Sequence, residues 1–123
     1  MVVDIDVDVG KNRIFLCVRG RVDDAEAQGI ADSILKEMGR LRPGFDIVTD
    51  LSQAEPLGPE GVNQFKRLLE AHRARKVGRA VRIVGRSKEV ALQLARTSKE
   101  LQHEPYLCFS REEAERWLDG ERP

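Results

Sequence analysis

The stretch Phe45-Asp46-Ile47-Val48-Thr49-Asp50-Leu51 decides the fold, because it predicts a strand with an amphipathic helix on either side. Before it, apolar residues recur at steps of three and four over 27–41, and Pro43-Gly44 ends that helix. After it, a polar loop over 52–59 leads into a second helix. Pro59 suits the first turn of that helix, since its missing N–H costs nothing there. A strand between two helices is the repeating unit of an α/β sheet.

The residues that precede this unit predict a hairpin and the start of a helix. Apolar residues alternate with three aspartates over 3–9, which is the pattern of a half-buried strand. A short turn at Gly10-Lys11-Asn12 joins it to the apolar run 13–18, so the two strands form a hairpin. Asp23 or Asp24 is expected to cap the first helix through its carboxylate.

The residues that follow predict two further strands, each followed by a helix. Residues 80–84 form the fourth strand, and Ser87 caps a third helix that turns its apolar side chains inward (Val90, Ala91, Leu94 and Leu101). Residues 105–109 form the fifth strand. Ser110 and Glu113 predict a capping box at the last helix, with the Glu113 side chain accepting the Ser110 backbone N–H.

The resulting order of elements is β-β-α-β-α-β-α-β-α. It predicts an α/β fold with a mixed sheet of about five strands, one antiparallel edge strand and about four helices. A chain of 123 residues has the size of one domain. We expect a single domain over 1–119, followed by a loose tail over 120–123.

Composition excludes several classes of protein. The 21 basic and 21 acidic residues balance, so the chain as a whole is not a polyanion binder. No apolar run reaches the roughly 18 residues of a membrane-spanning helix, and no basic region followed by an apolar stretch opens the chain. We therefore expect a cytoplasmic protein. Cys17 and Cys108 lie far apart in apolar runs without C-x-x-C spacing, which favours reduced core residues over a metal site.

Basic residues are concentrated in one segment. Eleven of them fall between residues 66 and 99, opposed there by Glu70 and Glu89 (Lys66, Arg67, Arg73, Arg75, Lys76, Arg79, Arg82, Arg86, Lys88, Arg96 and Lys99). Such a segment forms either an anion-attracting face or ordinary solvated helix surfaces. Aromatic residues do not interleave with these charges, so we expect no binding of single-stranded nucleic acid.

Two short motifs carry a resemblance to a known family. The stretch Asp46-Ile47-Val48-Thr49-Asp50-Leu51-Ser52 resembles the third strand of the STAS fold, the anti-sigma-factor antagonist (SpoIIAA-like) superfamily, which typically ends in an Asp-Leu-Ser type triplet. The start of the last helix, Ser110-Arg111-Glu112-Glu113-Ala114, is also typical of these modules. The resemblance implies a bacterial regulatory module that binds another protein, such as a regulator or a kinase-like partner.

The resemblance also implies the place of a phosphorylation switch, and the chain departs from the family there. The family carries a serine or threonine at the start of the second helix, where a phosphate blocks the interface by repulsion and desolvation. The matching stretch here is Gly58-Pro59-Glu60-Gly61, which has no hydroxyl. Glu60 is either a standing negative charge or a plain first-turn glutamate that favours the helix dipole. Phosphorylation at Ser52 or Thr49 in place of the missing acceptor stays open.

Other polar residues were weighed as sites of chemistry. Ser52 lacks a motif that ties it to a base, so a turn-forming role is favoured over a nucleophile. Asp50, Asp23 and Asp24 follow strands and suggest an acidic metal site, although capping explains the early pair equally well. The turn before the third helix is a candidate anion site, because helix N-termini attract anions; its residues are Arg82, Arg86, Ser87 and Lys88.

The sequence therefore predicts a non-catalytic protein-interaction module without a cofactor. We expect its partner-binding residues at the loop and the start of the second helix: Ser52, Leu57, Pro59, Glu60 and Gly61. A loop with Leu57 between two prolines is stiff, which lowers the entropy lost on docking. The alternative is a domain that binds an anionic metabolite or a lipid. An enzyme is the weakest hypothesis, and self-association as a homodimer stays open.

Overall fold

The computed structural model describes residues 2–85 and 88–120, and within them the predicted order of elements is confirmed. The strands are β1 (Val3–Asp8), β2 (Arg13–Gly20), β3 (Asp46–Ala54), β4 (Ala80–Ile83) and β5 (Tyr106–Cys108). The helices are α1 (Asp24–Met38), α2 (Pro59–Ala74), α3 (Lys88–Glu100) and α4 (Arg111–Leu118). Residues 121–123, most of the expected tail, lie outside the described part of the chain. Among the described residues no helix is both long and apolar enough to cross a membrane.

The strands of the sheet lie in the same order as they occur in the chain, β1-β2-β3-β4-β5. β1 and β2 form the predicted antiparallel hairpin, with Val3 opposite Val18. All later pairs are parallel, and Thr49 of β3 lies beside Leu16 of β2 and Arg82 of β4. The sheet is therefore mixed with an antiparallel edge strand, as predicted, and β3 lies at its centre.

The two faces of the sheet carry separate cores, because successive side chains of a strand point to opposite faces. One face packs against α1 and α2 through residues such as Ile14, Leu16 and Ile34. The other packs against α4, where Phe15 and Val48 meet Ala114. A third cluster joins Leu51 and Ala54 to Val90 and Leu94 of α3.

A buried ion network lies at the amino-terminal end of the parallel strands. Asp46 accepts two hydrogen bonds of 3.1 Å from Arg79 and one of 3.4 Å from Arg13. Arg13 also donates to Asp119, just after α4, at 3.0 Å. Arg13 and Asp46 are 3% and 5% exposed, so each charge depends on the other for compensation.

Several predicted details of the elements were wrong. α1 ends at Met38 with Gly39 as its C-cap, short of the predicted end at Pro43-Gly44. Asp23 is the N-cap of α1, but its carboxylate makes no capping hydrogen bond. β3 continues to Ala54, so the residues predicted to start a loop are still in the sheet. At α4, Ser110 caps Glu113 as predicted, yet the Glu113 carboxylate accepts from the Phe109 N–H and not from that of Ser110.

Candidate functional site

The first turn of α2 is fastened to α1. Gly58 is the N-cap, and it has no side chain to cap the helix. The carboxylate of Asp24 takes that role from outside, since its Oδ1 accepts the Glu60 backbone N–H at 3.3 Å. A Cβ atom on Gly58 would lie 2.6 Å from the same oxygen, so glycine is required for this approach. The Asp24 carboxylate therefore caps α2 and not, as expected from the sequence, α1.

The loop before α2 is fastened to α3. The Gln93 side-chain amide accepts the Leu57 backbone N–H and donates to the Leu57 carbonyl, both at 2.7 Å. The Leu57 side chain packs on the cluster that joins β3 to α3 and against Gly61, where a Cβ would lie 3.1 Å from Leu57 Cβ. Leu57 is thus half-buried and turned inward, and it supports the start of α2 from beneath.

The outer surface of this site is formed by Pro59 and Glu60. Pro59 is exposed in the first turn of α2, as predicted. Glu60 is half-buried, and its Oε1 accepts a hydrogen bond of 2.8 Å from Gln64 one turn later. The carboxylate is therefore held along the helix surface, and it places a fixed negative charge next to the helix start.

Ser52 belongs to β3, which corrects its assignment to a turn in a loop. Its backbone N–H and its hydroxyl both donate to Asp50 Oδ1, at 2.9 and 2.6 Å. The backbone of Gly85 lies so close to Ser52 that a Cβ there would overlap it. The Ser52 hydroxyl is thus hydrogen-bonded to the Asp50 carboxylate. The two histidines, His72 and His103, instead pack against each other, with ring centroids 5.7 Å apart. This arrangement provides Ser52 with a hydrogen-bond acceptor and not with an imidazole base.

The candidate anion site divides into a part that is described and a part that is not. Arg86, Ser87 and the side chain of Lys88 lie outside the described residues. Arg82 is only 6% exposed and donates to Ser98 Oγ of α3 at 2.9 Å. It is therefore buried beneath α3, which corrects the expectation that it adds charge to the surface of the turn.

The three acidic residues considered for a metal site are engaged separately. Asp24 caps α2, Asp50 binds Ser52, and Asp23 lies 3.8 Å from the Arg21 guanidinium. Within the described ranges no group of three or more His, Cys, Asp or Glu side chains is arranged to hold a metal ion. Cys108 is buried as expected, whereas Cys17 is partly exposed. The pKa of the Cys17 thiol is raised, first by burial and then by the Asp50 carboxylate.

An apolar cavity of about 90 Å³ lies between the sheet and the helices that cover it. Leu57 and Gly61 line it near the start of α2, and His72 lines it eleven residues later, about 16 Å further along the helix. This cavity could not be predicted from the sequence, because periodicity does not report how closely facing side chains fill the space between them.

The sheet order and the helix arrangement are those of a SpoIIAA-like fold. The SpoIIAA anti-sigma factor antagonist in its unphosphorylated form is similar over 96% of this chain and 98% of its own, with a TM-score of 0.64 and 16% identity. TM1081 of Thermotoga maritima, a proposed anti-sigma factor antagonist, is similar over 95% and 94%, with a TM-score of 0.69 and 12% identity.

A third similar structure has no assigned activity. It is an uncharacterised DUF3478-family protein with a SpoIIAA-like fold from Shewanella loihica, similar over 94% of this chain and 91% of its own, with a TM-score of 0.60 and 16% identity. No family model and no curated protein matches the sequence. The predicted resemblance is thus confirmed as a likeness of fold.

Proposed function

We propose that this protein is a non-catalytic regulatory module of the bacterial cytoplasm, one domain over residues 1–119, that binds another protein. Its docking surface is the start of α2 together with the end of β3, with Pro59 and Glu60 outermost, Ser52 beside them, and Leu57 and Gly61 beneath. Structures of similar fold include an anti-sigma factor antagonist, a class defined by a protein partner. The fold likeness supports the class of function, and the local contacts support the surface.

The observation that carries the proposal is that this surface is fastened from two sides. Asp24 holds the first turn of α2 from α1, and Gln93 holds Leu57 from α3. A surface that is ordered before its partner arrives loses little conformational entropy on binding. Exposed Pro59 adds to this rigidity because its φ angle is fixed.

We propose further that the module is not switched by phosphorylation at the family position. Pro59 occupies the place of the hydroxyl, and the Glu60 carboxylate stays charged beside it. Ser52 is a poor substitute acceptor, because its hydroxyl already donates to Asp50 and a phosphate there would face that carboxylate. Thr49 lines the interior cavity, where a phosphate dianion would be desolvated.

The test is affinity capture from a bacterial lysate, followed by a binding titration of the purified partner. Glu60→Arg reverses the charge of the docking surface, whereas Glu70→Arg makes the same change at an exposed site further along α2. We expect Glu60→Arg to weaken binding at least tenfold and Glu70→Arg to leave it unchanged. Equal binding by both variants would place the interface elsewhere, and absence of any captured protein would remove the proposal.

A second candidate function is binding of a small ligand. The described part of the turn before α3 gives it no support, because Arg82 is buried away from that turn. The interior cavity offers a small ligand a specific site.

A further inference from the structure

Arg82 is a buried cation without a buried anion. Its guanidinium lies 5.4 Å from the centre of the Phe65 ring and donates to the Ser98 hydroxyl. Among the described residues none offers a carboxylate within salt-bridge distance of it. Burial lowers its pKa to about 10, so the group is still charged at neutral pH. Buried charges in proteins are usually paired, because an unpaired charge loses its hydration without gaining a counter-charge.

His72 is a second buried group that lacks a partner. It is 6% exposed, and neither of its ring nitrogens has a hydrogen-bond partner within the described part of the chain. Burial, helped by the neighbouring His103 and Arg82, lowers its pKa to about 3, so the ring is neutral and has one N–H donor. An unsatisfied buried donor is destabilising, because it loses its hydrogen bonds to water without replacing them.

The cavity between the sheet and the helices is lined by His72 and lies one layer of side chains away from Arg82. Two other lining residues, Thr49 and Phe65, are immediate neighbours of Arg82: Thr49 is its cross-strand partner and Phe65 lies under its guanidinium. Most of the remaining lining is aliphatic. A water molecule needs two to four polar partners, so it fits this cavity poorly, whereas a mainly apolar molecule fits it well.

We propose that this cavity binds a short-chain monocarboxylic acid. The alkyl chain lies among the aliphatic side chains, and the carboxylate accepts the His72 N–H within the positive field of Arg82. Such a ligand supplies the acceptor that His72 lacks and the anion that Arg82 lacks. The carboxylate lies at the His72 end because Glu55, which lines the cavity close to Leu57, would repel it.

The volume limits the length of the ligand. A cavity of about 90 Å³ is small, so it suits an acid of a few carbons and not a long-chain fatty acid. The ligand site does not depend on the proposed partner, because its test uses the purified protein alone.

The experiment is an NMR titration of the protein with butyrate labelled with ¹³C at the carboxyl group, compared with butan-1-ol and butylamine. We expect saturable binding of butyrate, with the His72 ring resonances shifting, and at least tenfold weaker binding of the alcohol and the amine. Equal affinity of butan-1-ol would remove the carboxylate from the proposal. A lack of saturable binding by butyrate would overturn the site.

Variants test the hydrogen-bond donor and the apolar part of the cavity separately. His72→Phe keeps an aromatic ring without the donor, and we expect at least a tenfold loss of butyrate affinity. Ala31→Leu fills the cavity from α1 and should abolish butyrate binding. Arg116→Met, at an exposed position of α4, should leave the binding unchanged. Urea unfolding shows which variants are folded. If the core variants fail to fold, the wild-type protein is titrated with octanoate, which is too long for the cavity. Octanoate binding as tight as that of butyrate would show that the cavity is not the site.

Discussion

Gln93 of α3 holds the main chain of Leu57 through both ends of its side-chain amide, with two hydrogen bonds of 2.7 Å. A side-chain amide has an acceptor oxygen and an N–H donor side by side, so it can bind both the N–H and the carbonyl of one residue. These hydrogen bonds connect the loop before α2 to a later helix, since Gln93 lies 36 positions after Leu57 in the chain. The position of the proposed docking surface therefore depends on α3.

Replacing Gln93 should loosen that surface. Gln93→Ala leaves the Leu57 N–H and carbonyl without their partners, and we expect a loss of about 1–3 kcal/mol in the free energy of unfolding. Hydrogen exchange at the Leu57 amide should become faster at the same time. Gln28→Ala, on the exposed side of α1, is the matched control and should change neither quantity. Unchanged exchange at Leu57 in Gln93→Ala would contradict the assigned role.

Two helical glycines should respond to alanine in opposite directions. At Gly61 of α2 a Cβ would lie 3.1 Å from Leu57 Cβ, so Gly61→Ala must displace Leu57 and should destabilise by about 1–3 kcal/mol. At Gly29 of α1 a Cβ meets nothing within 4 Å. Gly29→Ala should therefore stabilise by up to about 1 kcal/mol, because alanine has the higher helix propensity. Urea unfolding measures both, and a stabilised Gly61→Ala would show that Leu57 gives way freely.

Stability should fall as the pH is lowered from neutrality because of His72. Its pKa is about 3 in the folded protein and about 6.5 in an unfolded chain, so below pH 6.5 the unfolded state binds a proton that the folded state does not. The free energy of unfolding then drops by at most about 1.4 kcal/mol per pH unit for this group. Urea midpoints between pH 7 and pH 5 measure the effect.

The control for that effect is the difference between the wild type and His72→Phe. Carboxylates contribute equally to both proteins, so the difference isolates the histidine. The pKa of His103 is also lowered, chiefly by burial, so it contributes with the same sign and is removed separately with His103→Asn. A pH dependence that is identical in wild type and His72→Phe would mean that the pKa of His72 is the same in the folded protein as in the unfolded chain.

The ion network at the amino-terminal end of the sheet should be far more sensitive than a surface pair. Asp46→Ala removes the carboxylate that Arg13 and Arg79 share and leaves Arg13, at 3% exposure, with Asp119 as its remaining acidic partner. We expect a loss of about 3–5 kcal/mol. Asp32→Ala removes the carboxylate of the exposed Asp32–Arg67 pair and should change stability by less than about 1 kcal/mol. Similar losses in urea unfolding would mean that Asp46 is not desolvated as the structure indicates.

The fold was predictable from the sequence because its signals are local. Each element is indicated by residues within it, without reference to distant parts of the chain. Examples are the alternation over 3–9, the helical stripe that begins near Ala27, and Pro59 at the first turn of α2. The boundaries were less accurate where tertiary contacts override local preference. β3 continues through Ser52 because its last two residues, Gln53 and Ala54, pair with Arg19 and Gly20 of β2.

The interior of the candidate site was not predictable in the same way. Nothing near Gln93 in the sequence indicates that its amide binds Leu57, and Asp24 reads equally well as a cap of its own helix. These contacts connect residues 36 positions apart, so they exist only once the helices are packed. The burial of Arg82 was missed for a similar reason, since a lysine- and arginine-rich segment gives no sign of which cation faces inward.

The strand order of the sheet, identical to the order along the chain, has a consequence for how the protein is made. No strand has to insert between two that have already paired. When a new strand leaves the ribosome, the strand with which it pairs has therefore already been synthesised. The sheet then grows in one direction, from the β1–β2 hairpin to β5, and each strand pairs with the strand that precedes it in the chain. Synthesis and folding can run together, and the last helix closes a sheet that is already assembled.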